Sequence, residues 1–376
     1  MHILEKNKQT LIVSHPYVGN YGGILQAVAL CLCCNSCGIS TRIVDYKINK
    51  TPEKSTTFIL NVKSRVAEIL YYIGFIRNYI PHNIVVHFAK LHKKFFKRLY
   101  VGQHSFSKAY NFVVGSDQVW RGEYVRCLQS LPFFFLNFSS DEQRSRSISY
   151  AASFGSESWE GNPEETEECG RLLREFKAVS VREHSGVKIC KDVFGVDAVQ
   201  MPDPTLLLHR EDYGKIIDSE KTWLPVGKYM AAYVLDETEG KANLLQECTK
   251  SVDMKLQHLM PHADAKKRRD RFPVSVPQWL HLIRECEYFI TDSFHGCVFA
   301  IIFNKPFVCL GNAGRGNARF GTLLGTFGLE DRMITDSTPE KVLQVLHTPI
   351  DWERVNAIHD AERERGINFL KENLCE

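Results

Sequence analysis

The 376-residue sequence has no apolar run long enough to cross a bilayer and no strong excess of charge. A transmembrane helix needs about 20 consecutive apolar residues, and the best candidate is interrupted at Asn304, Lys305 and Pro306. The opening segment MHILEKNKQTLIVSHP has charges on both sides of a short apolar run, which is typical of a first core strand and not of a signal peptide. We therefore expect a cytoplasmic protein, with contact to the inner face of the cytoplasmic membrane left open.

Motifs that would assign common chemistries are also missing. The sequence has no G-x-x-x-x-G-K-[ST] phosphate loop and no G-x-S-x-G nucleophile elbow, which argues against P-loop nucleotide chemistry and against an α/β-hydrolase. The segment GNYGG does not match the dinucleotide fingerprint G-x-G-x-x-G. It does predict a tight strand-to-helix turn with free backbone N–H groups, which suits an anion or a sugar hydroxyl.

Cysteine is abundant, but no second cluster accompanies the first. Four of the 12 cysteines lie in CLCCNSCG, at Cys31, Cys33, Cys34 and Cys37. Zinc sites usually combine two such clusters, or one cluster with paired histidines. The run continues from GGILQAVAL, so these thiols are expected along one helix as buried, reduced side chains and not as metal ligands.

The chain alternates between strand-like and helix-like segments in two series. TLIVS (10–14), the helical run from residue 21 and STRIVDY (40–46) form a βαβ pattern, and further strands follow within residues 110–117, 145–155 and 177–183. A second series runs from KYMAAYVLD (228–236) to NKPFVCL (304–310). We predict two Rossmann-like α/β domains facing across a cleft, over residues 1–200 and 201–345, with a helix in 346–376 packing back across them.

Residues 53–108 interrupt the first series with helical periodicity. Within them, the stretch 87–99 alternates apolar residues with Lys90, Lys93, Lys94, Lys97 and Arg98. This pattern fits a solvated helix face, and it also fits an interfacial helix attracted to anionic lipid. No recognised nucleic-acid-binding module accompanies it, so no nucleic-acid partner is expected.

Polar and charged residues collect where the predicted strands end. Ligands of open parallel sheets bind at the carboxyl ends of the strands. The side chains found there are Asn20, Tyr21, Asp117, Gln118, Arg182, Asp203, Asp292, Ser293, His295, Arg315 and Arg319.

The turn in ITDSFHG carries the most specific chemistry. Ser293 or Asp292 can cap a helix that begins near His295. A histidine in that first turn lies at the positive end of the helix dipole, where its charged form is disfavoured. A phosphate or carboxylate bound beside it would favour protonation and let it deliver a proton.

Seven segments in this order resemble the polysaccharide pyruvyl transferase family. They are GNYGGILQAVAL, VVGSDQVW, SYAASFG, SVRE, PDPTLLL, TDSFHGCVFAIIFNKPF and RFGTLLGTFGLEDR. The resemblance implies a glycosyltransferase-B-like fold. It also implies transfer of the pyruvyl group of phosphoenolpyruvate to two hydroxyls of a sugar, as a cyclic ketal with release of phosphate. Phosphoenolpyruvate is then the donor substrate, and no cofactor or metal is expected.

By position, the resemblance implies that His295 is the general acid and that Arg182 binds the donor. Arg315, or alternatively Arg319, matches a further basic residue that contacts the donor. Some relatives have Arg-Leu-His where this chain has Ser293-Phe294-His295, so another cation must replace the missing arginine. Arg319 is the candidate, with Ser293 kept as a donor contact.

The acceptor is expected to be a lipid-linked or free saccharide, with galactose as the family's example. In the first domain Asn20, Tyr21, Asp117 and Gln118 can hydrogen-bond a sugar, and Asp117 is either a base for its hydroxyl or a structural turn residue. Two alternatives stay open. One is a nucleotide-sugar-dependent glycosyltransferase of the same fold, and the other is a saccharide-binding relative without catalytic activity.

Overall fold

We describe the structure from a computed structural model, over residues 8–15, 21–46, 96–126, 128–261, 273–311, 317–335 and 337–375. Asn20 and Arg315 lie outside these residues. So does most of the predicted helical segment 53–108. Its described end has a 3-10 turn at Lys97–Leu99 and then a strand at Tyr100–Gly102, so the helical prediction is wrong for that strand, which pairs with the strand Thr41–Asp45.

The first half is built on a sheet of five parallel strands. Its strands are β1 Thr10–Val13, β2 Thr41–Asp45, β3 Tyr100–Gly102, β4 Asn111–Val114 and β5 Ile148–Ser149. Their spatial order is β3-β2-β1-β4-β5. A short parallel pair, β6 Ser180–Val181 and β7 Val199–Gln200, lies beside β5. Isolated bridges join β6 and the residues before it to β5 and the residues after it. The central strands β1 and β4 are fully buried, as expected for a parallel sheet covered on both faces, whereas β3 at the edge is half-buried.

Five α-helices of the described residues belong to this half. They are α1 Tyr21–Ser36, α2 Gly122–Val125, α3 Asp141–Arg144, α4 Pro163–Leu173 and α5 His184–Phe194. Helix α1 is buried on nearly all sides, and the cysteines 31, 33 and 34 pack within it. Burial raises the pKa of Cys31 to about 12, so this thiol stays neutral. The predicted buried packing is confirmed for Cys31, Cys33 and Cys34, whereas Cys37 lies beyond the end of α1 and is only half-buried.

The second half repeats the design. Its parallel strands are β8 Tyr229–Tyr233, β9 Lys255–His258, β10 Tyr288–Thr291, β11 Phe307–Leu310 and β12 Met333–Ile334, in the order β12-β11-β10-β8-β9. Its helices are α6 Arg210–Ile217, α7 Glu239–Ser251, α8 Val276–Arg284, α9 Phe294–Ile302, α10 Asn317–Phe327, α11 Pro339–His347 and α12 Trp352–Leu374. The predicted α/β class with two Rossmann-like sheets is confirmed.

Each sheet has one point at which the strand order reverses. It lies between β1 and β4 in the first sheet and between β8 and β10 in the second. In open α/β sheets, the crevice beside such a point is where ligands bind. The strand ends at these two points therefore define where a site is expected.

Aromatic and backbone contacts hold the two halves together. Tyr21, at the start of α1, stacks on Trp279 of α8 with ring centroids 5.1 Å apart, and its hydroxyl donates to the Val274 carbonyl at 2.8 Å. Helix α12 crosses back to the segment between the halves, where Arg363 Nε donates to the Leu207 carbonyl at 3.0 Å. Farther along α12, Gly366 packs directly against the Tyr150 hydroxyl.

No helix among the described residues combines the length and apolar character that a membrane crossing requires.

One buried carboxylate fixes the second reversal point. Asp292 is fully buried and accepts hydrogen bonds from the backbone N–H of Leu235 at 2.6 Å and of Asp236 at 3.1 Å, beyond the end of β8. The ammonium group of Lys241 lies 2.8 Å from Asp292 Oδ2, the oxygen that also accepts from Asp236. The carboxylate thus ties the loop after β8 to the end of β10.

We predict that Asp292→Ala lowers the free energy of unfolding by about 3 kcal/mol, because two buried N–H groups lose a charged acceptor. Urea unfolding measures this change. Lys241→Met is the comparison, and it should cost less because Lys241 is one-fifth exposed and its loss leaves both backbone hydrogen bonds in place. Equal losses for the two variants would contradict this account.

Candidate active site

The site begins where β10 passes into α9. Ser293 is the N-cap of α9, and its Oγ accepts from the Gly296 N–H at 3.4 Å. Of the two expected caps, Ser293 therefore caps the helix, while Asp292 binds the loop after β8. The capped turn places His295 in the first turn of α9, with 4% of its surface exposed.

His295 lies between the two halves of the molecule. Its Nε2 is 3.4 Å from Oδ2 of Asp203, in the segment that connects the halves. On its other side the ring packs against Gly22 in α1, so closely that a Cβ at Gly22 would lie 2.1 Å from Nδ1. The imidazole thus occupies the space that a side chain at position 22 would need.

Arg182 follows β6 and shares the same carboxylate. Its Nη2 lies 3.1 Å from Asp203 Oδ2 and also donates to the Ser116 hydroxyl, while Nη1 lies 3.7 Å from Asp117 Oδ1. Burial alone would raise the pKa of Asp203, but the charges of Arg182 and His295 outweigh it and hold this pKa well below its ordinary value. Asp203 is therefore ionised, and it links the arginine to the histidine.

Asp117 stands at the other reversal point, after β4. Its φ of 69° is left-handed, and its Oδ1 accepts from the Gln118 N–H at 3.0 Å. Burial would raise the pKa of Asp117, yet the nearby Arg182 guanidinium lowers it overall. The preceding Ser116 is held by Gln26, whose Oε1 accepts from the Ser116 N–H at 3.0 Å. Asp117 is thus a fixed and ionised carboxylate facing Arg182.

Arg319 of α10 brings a second buried cation to the site. The guanidinium carbons of Arg182 and Arg319 lie 5.1 and 5.4 Å from the centroid of one ring, that of Phe294. Burial, followed by the charge of Arg182, lowers the pKa of Arg319 to about 10. Arg319 still carries its charge at neutral pH, so two cations lie side by side in a place that favours an anion.

Several polar atoms here have no hydrogen-bond partner within the described part of the chain. They are Nε and Nη1 of Arg182, Oδ2 of Asp203 and Nε2 of His295. Buried polar atoms normally find partners. Beside them, a cleft is lined by Arg182, Asp203, Phe294, Arg319 and Thr322, among others. The unpaired guanidinium N–H groups of Arg182 make this cleft a candidate site for an anion.

The structure thus brings together four of the predicted site residues, His295, Arg182, Arg319 and Asp117. Ser293 lies beside them as the helix cap. Tyr21 and Gln118 are engaged within the protein instead: Tyr21 on Trp279, and Gln118 through its Oε1, which accepts from Arg121 at 3.0 Å. The acceptor roles predicted for these two stay predictions.

Two residues of the cluster had no assigned role in the sequence analysis. Asp203 was noted only among polar strand ends, within a proline-rich connection. Phe294 looked like an ordinary apolar helix residue. A third, Glu183, is fully buried and caps the N–H groups of Phe154 and Gly155 at 2.8 and 3.2 Å. The adjacency of Arg182 and Glu183 in SVRE was the available signal for this last residue.

Comparison with solved structures shows the fold. The structure of a protein assigned as a UDP-N-acetylglucosamine 2-epimerase from Listeria monocytogenes matches with a TM-score of 0.53 at 11% identity, covering 98% of this chain and 96% of that one. The UDP-GlcNAc 2-epimerase from Methanocaldococcus jannaschii gives 0.48 at 13% identity, over 97% and 99% of the two chains. No curated protein sequence matches this chain.

With its paired Rossmann-like sheets, the protein has the glycosyltransferase-B-like fold. The model of the family described as "Polysaccharide pyruvyl transferase" matches residues 20–314, which is most of the chain and includes His295, Arg182 and Asp117. The chain therefore belongs to the polysaccharide pyruvyl transferase family, a family of transferases.

The lowered pKa of Asp203 predicts how the free energy of unfolding depends on pH. A carboxyl group whose pKa is lowered by folding contributes stability above its unfolded pKa of about 3.9, and loses it as the pH falls toward the folded value. We expect the stability difference between the wild type and Asp203→Asn to be largest above about pH 5 and to shrink steadily below about pH 4. Urea unfolding of both proteins between pH 7 and pH 3 measures it. A difference independent of pH would show that Asp203 is not an ionised partner of Arg182.

Proposed function

We propose that this protein transfers the pyruvyl group of phosphoenolpyruvate to two hydroxyls of a hexose, forming a cyclic ketal and releasing phosphate. The acceptor is a galactose residue in a precursor of a cell-surface polysaccharide, carried on a lipid. The family supports pyruvylation of polysaccharides in general. The donor, the sugar and the ketal are our inference.

The observation that carries the proposal is the pairing of an acid with an anion pocket. His295 and Arg182 lie 3.4 and 3.1 Å from the same oxygen of Asp203, and Arg319 shares the Phe294 ring with Arg182. Phosphoenolpyruvate has a phosphate and a carboxylate, and guanidinium groups bind both in bidentate fashion. Its enol carbon becomes electrophilic only after protonation at C3, which requires an acid beside these cations.

The steps balance without a further reactant. His295 gives a proton to C3, and the electron pair of the C2–C3 double bond forms the new C–H bond. The first sugar hydroxyl adds to the cationic C2 and releases its proton to a base, for which Asp117 is the candidate. The second hydroxyl then takes the place of phosphate at C2 and gives its proton to the imidazole of His295, which became neutral in the first step, while phosphate leaves with the electrons of the C–O bond. Arg182 and Arg319 stabilise the charge on the departing phosphate.

Arg319 takes the role of the arginine that some relatives have at the position of Ser293. Ser293 is buried and committed to the helix cap, so it supplies no positive charge. The guanidinium of Arg319 reaches the ring of Phe294, the residue directly between Ser293 and His295. This position supports Arg319 of α10 as the cation that replaces the one missing from the α9 turn.

The lipid carrier connects the proposal to the basic stretch 87–99. If the acceptor lies at the inner face of the cytoplasmic membrane, these lysines would hold the protein near anionic lipid. On the acceptor side Asn20, with Asp117, would contact the sugar. Tyr21 and Gln118 would have to exchange their present partners to do so.

Phosphate release from phosphoenolpyruvate tests the function. We expect release that depends on an added galactoside, greater with a lipid-linked galactoside than with a free one, and a product mass that reports a pyruvyl ketal. His295→Gln should lower the rate about 10²- to 10⁴-fold, the usual contribution of a general acid. Binding and turnover of a nucleotide sugar without any response to phosphoenolpyruvate would favour the glycosyltransferase alternative. Saccharide binding without either reaction would indicate an inactive relative.

The role of Arg319 is tested separately. We expect Arg319→Met to raise the KM for phosphoenolpyruvate about 10- to 100-fold, since a charged hydrogen bond to a ligand contributes about 1.5 to 3 kcal/mol. Steady-state kinetics measure this change. Arg171→Met is the matched control, because Arg171 is more than half exposed on α4 and pairs there with Glu175. An unchanged KM in Arg319→Met together with a raised one in Arg315→Met would assign the second cation to Arg315.

A further inference from the structure

The proposed function requires that His295 present one nitrogen to the donor, and the structure shows what fixes the ring. Nε2 lies 3.4 Å from Asp203 Oδ2, the oxygen that Arg182 also contacts. The Nδ1 side of the ring lies against Gly22. The two sides of the imidazole are therefore distinct, with Nε2 toward Asp203.

Asp203 is itself held in place from its other oxygen. Oδ1 accepts from the Thr205 N–H at 2.9 Å and from the Thr205 hydroxyl at 2.6 Å, and the side chain is fully buried. These bonds fix the rotamer and leave Oδ2 directed at Nε2 of His295 and Nη2 of Arg182. The remaining charged groups near the imidazole are Asp117, Arg182 and Arg319. Of the two carboxylates, Asp203 is the one that contacts the ring of His295.

We infer that Asp203 and Gly22 are positioning residues for His295, one holding the proton on Nε2 by its charge and the other leaving room for the ring. This inference rests on the proposed function of His295 as the acid. Gly22 belongs to the first half, Asp203 to the connecting segment and His295 to the second half. The proton donor is therefore assembled only where all three parts of the chain meet.

Nitrogen NMR of protein labelled with ¹⁵N-histidine tests the charge of Asp203 directly, without donor or turnover. The His295 signals are identified by their absence in His295→Gln. Because Nε2 lies 3.4 Å from Asp203 Oδ2, we expect Asp203→Asn to shift the Nε2 signal of His295 and to lower kcat about 100-fold. Asp117→Asn is the comparison: it removes a carboxylate that is 3.7 Å from Arg182, and it should move the His295 signals much less.

The outcomes separate the inference from the function. His295 signals that are the same in Asp203→Asn and in the wild type would overturn the role of Asp203, whether or not phosphoenolpyruvate is turned over. Altered signals in a protein with no pyruvyl transfer would uphold the positioning and reject the function. A kcat that is unchanged in Asp203→Asn while the wild type is active would also overturn the inference.

Gly22→Ala tests the second half of the inference. The added methyl would lie 2.1 Å from Nδ1, so the imidazole must move, and a displacement near 1 Å commonly costs about 100-fold in rate. We expect that loss in kcat, with altered His295 signals. Gly321→Ala in α10 is the matched control, because a methyl there meets nothing within 4 Å and activity should be unchanged. Wild-type kcat and wild-type signals in folded Gly22→Ala would overturn the role of Gly22.

Discussion

The carboxylate oxygen shared by Arg182 and His295 is the interaction on which the site depends. A buried charge is costly unless it is paired, and Asp203 is wholly buried between two partners that are themselves almost inaccessible to solvent. Each of the three side chains comes from a different part of the chain. Separating the two Rossmann-like halves would break the contact between His295 and the buried Asp203, so the site electrostatics also favour one arrangement of the halves.

That arrangement follows from the topology of the sheets. Both strand orders reverse once, and β4 and β10 end at these reversals. Asp117 follows β4 and lies 3.7 Å from Arg182, while His295 follows β10 and contacts Asp203, the carboxylate that Arg182 also contacts. The apolar strands contribute no chemistry of their own. They fix where the polar turns meet, which is why short buried strands can support a cluster of five ionisable side chains.

How far the sequence predicts this site can be argued from individual residues. The meeting of His295 with Arg182 was predictable, because parallel strands place their carboxyl ends on one edge. The orientation of the Tyr21 side chain was not predictable, because it depends on stacking against Trp279, which lies far away in the sequence. Asp203 was not predicted as a partner of Arg182 and His295, because the two prolines that flank it indicate a connecting segment. Its role arises from the Thr205 hydrogen bonds that turn Oδ2 inward.

Under the proposed function, the pair of arginines on Phe294 supplies the positive charge that an arginine at position 293 would provide. Two guanidinium groups on one ring repel each other, and the lowered pKa of Arg319 reflects burial together with that repulsion. The quadrupole of the ring and the carboxylates of Asp117 and Glu183 offset part of this cost. A multiply charged anion beside both arginines would remove the rest, so its binding is favoured by relief of repulsion as well as by direct contact. A cation displaced from the α9 turn to α10 can thus serve the same anion, while Ser293 remains free to begin the helix that carries His295.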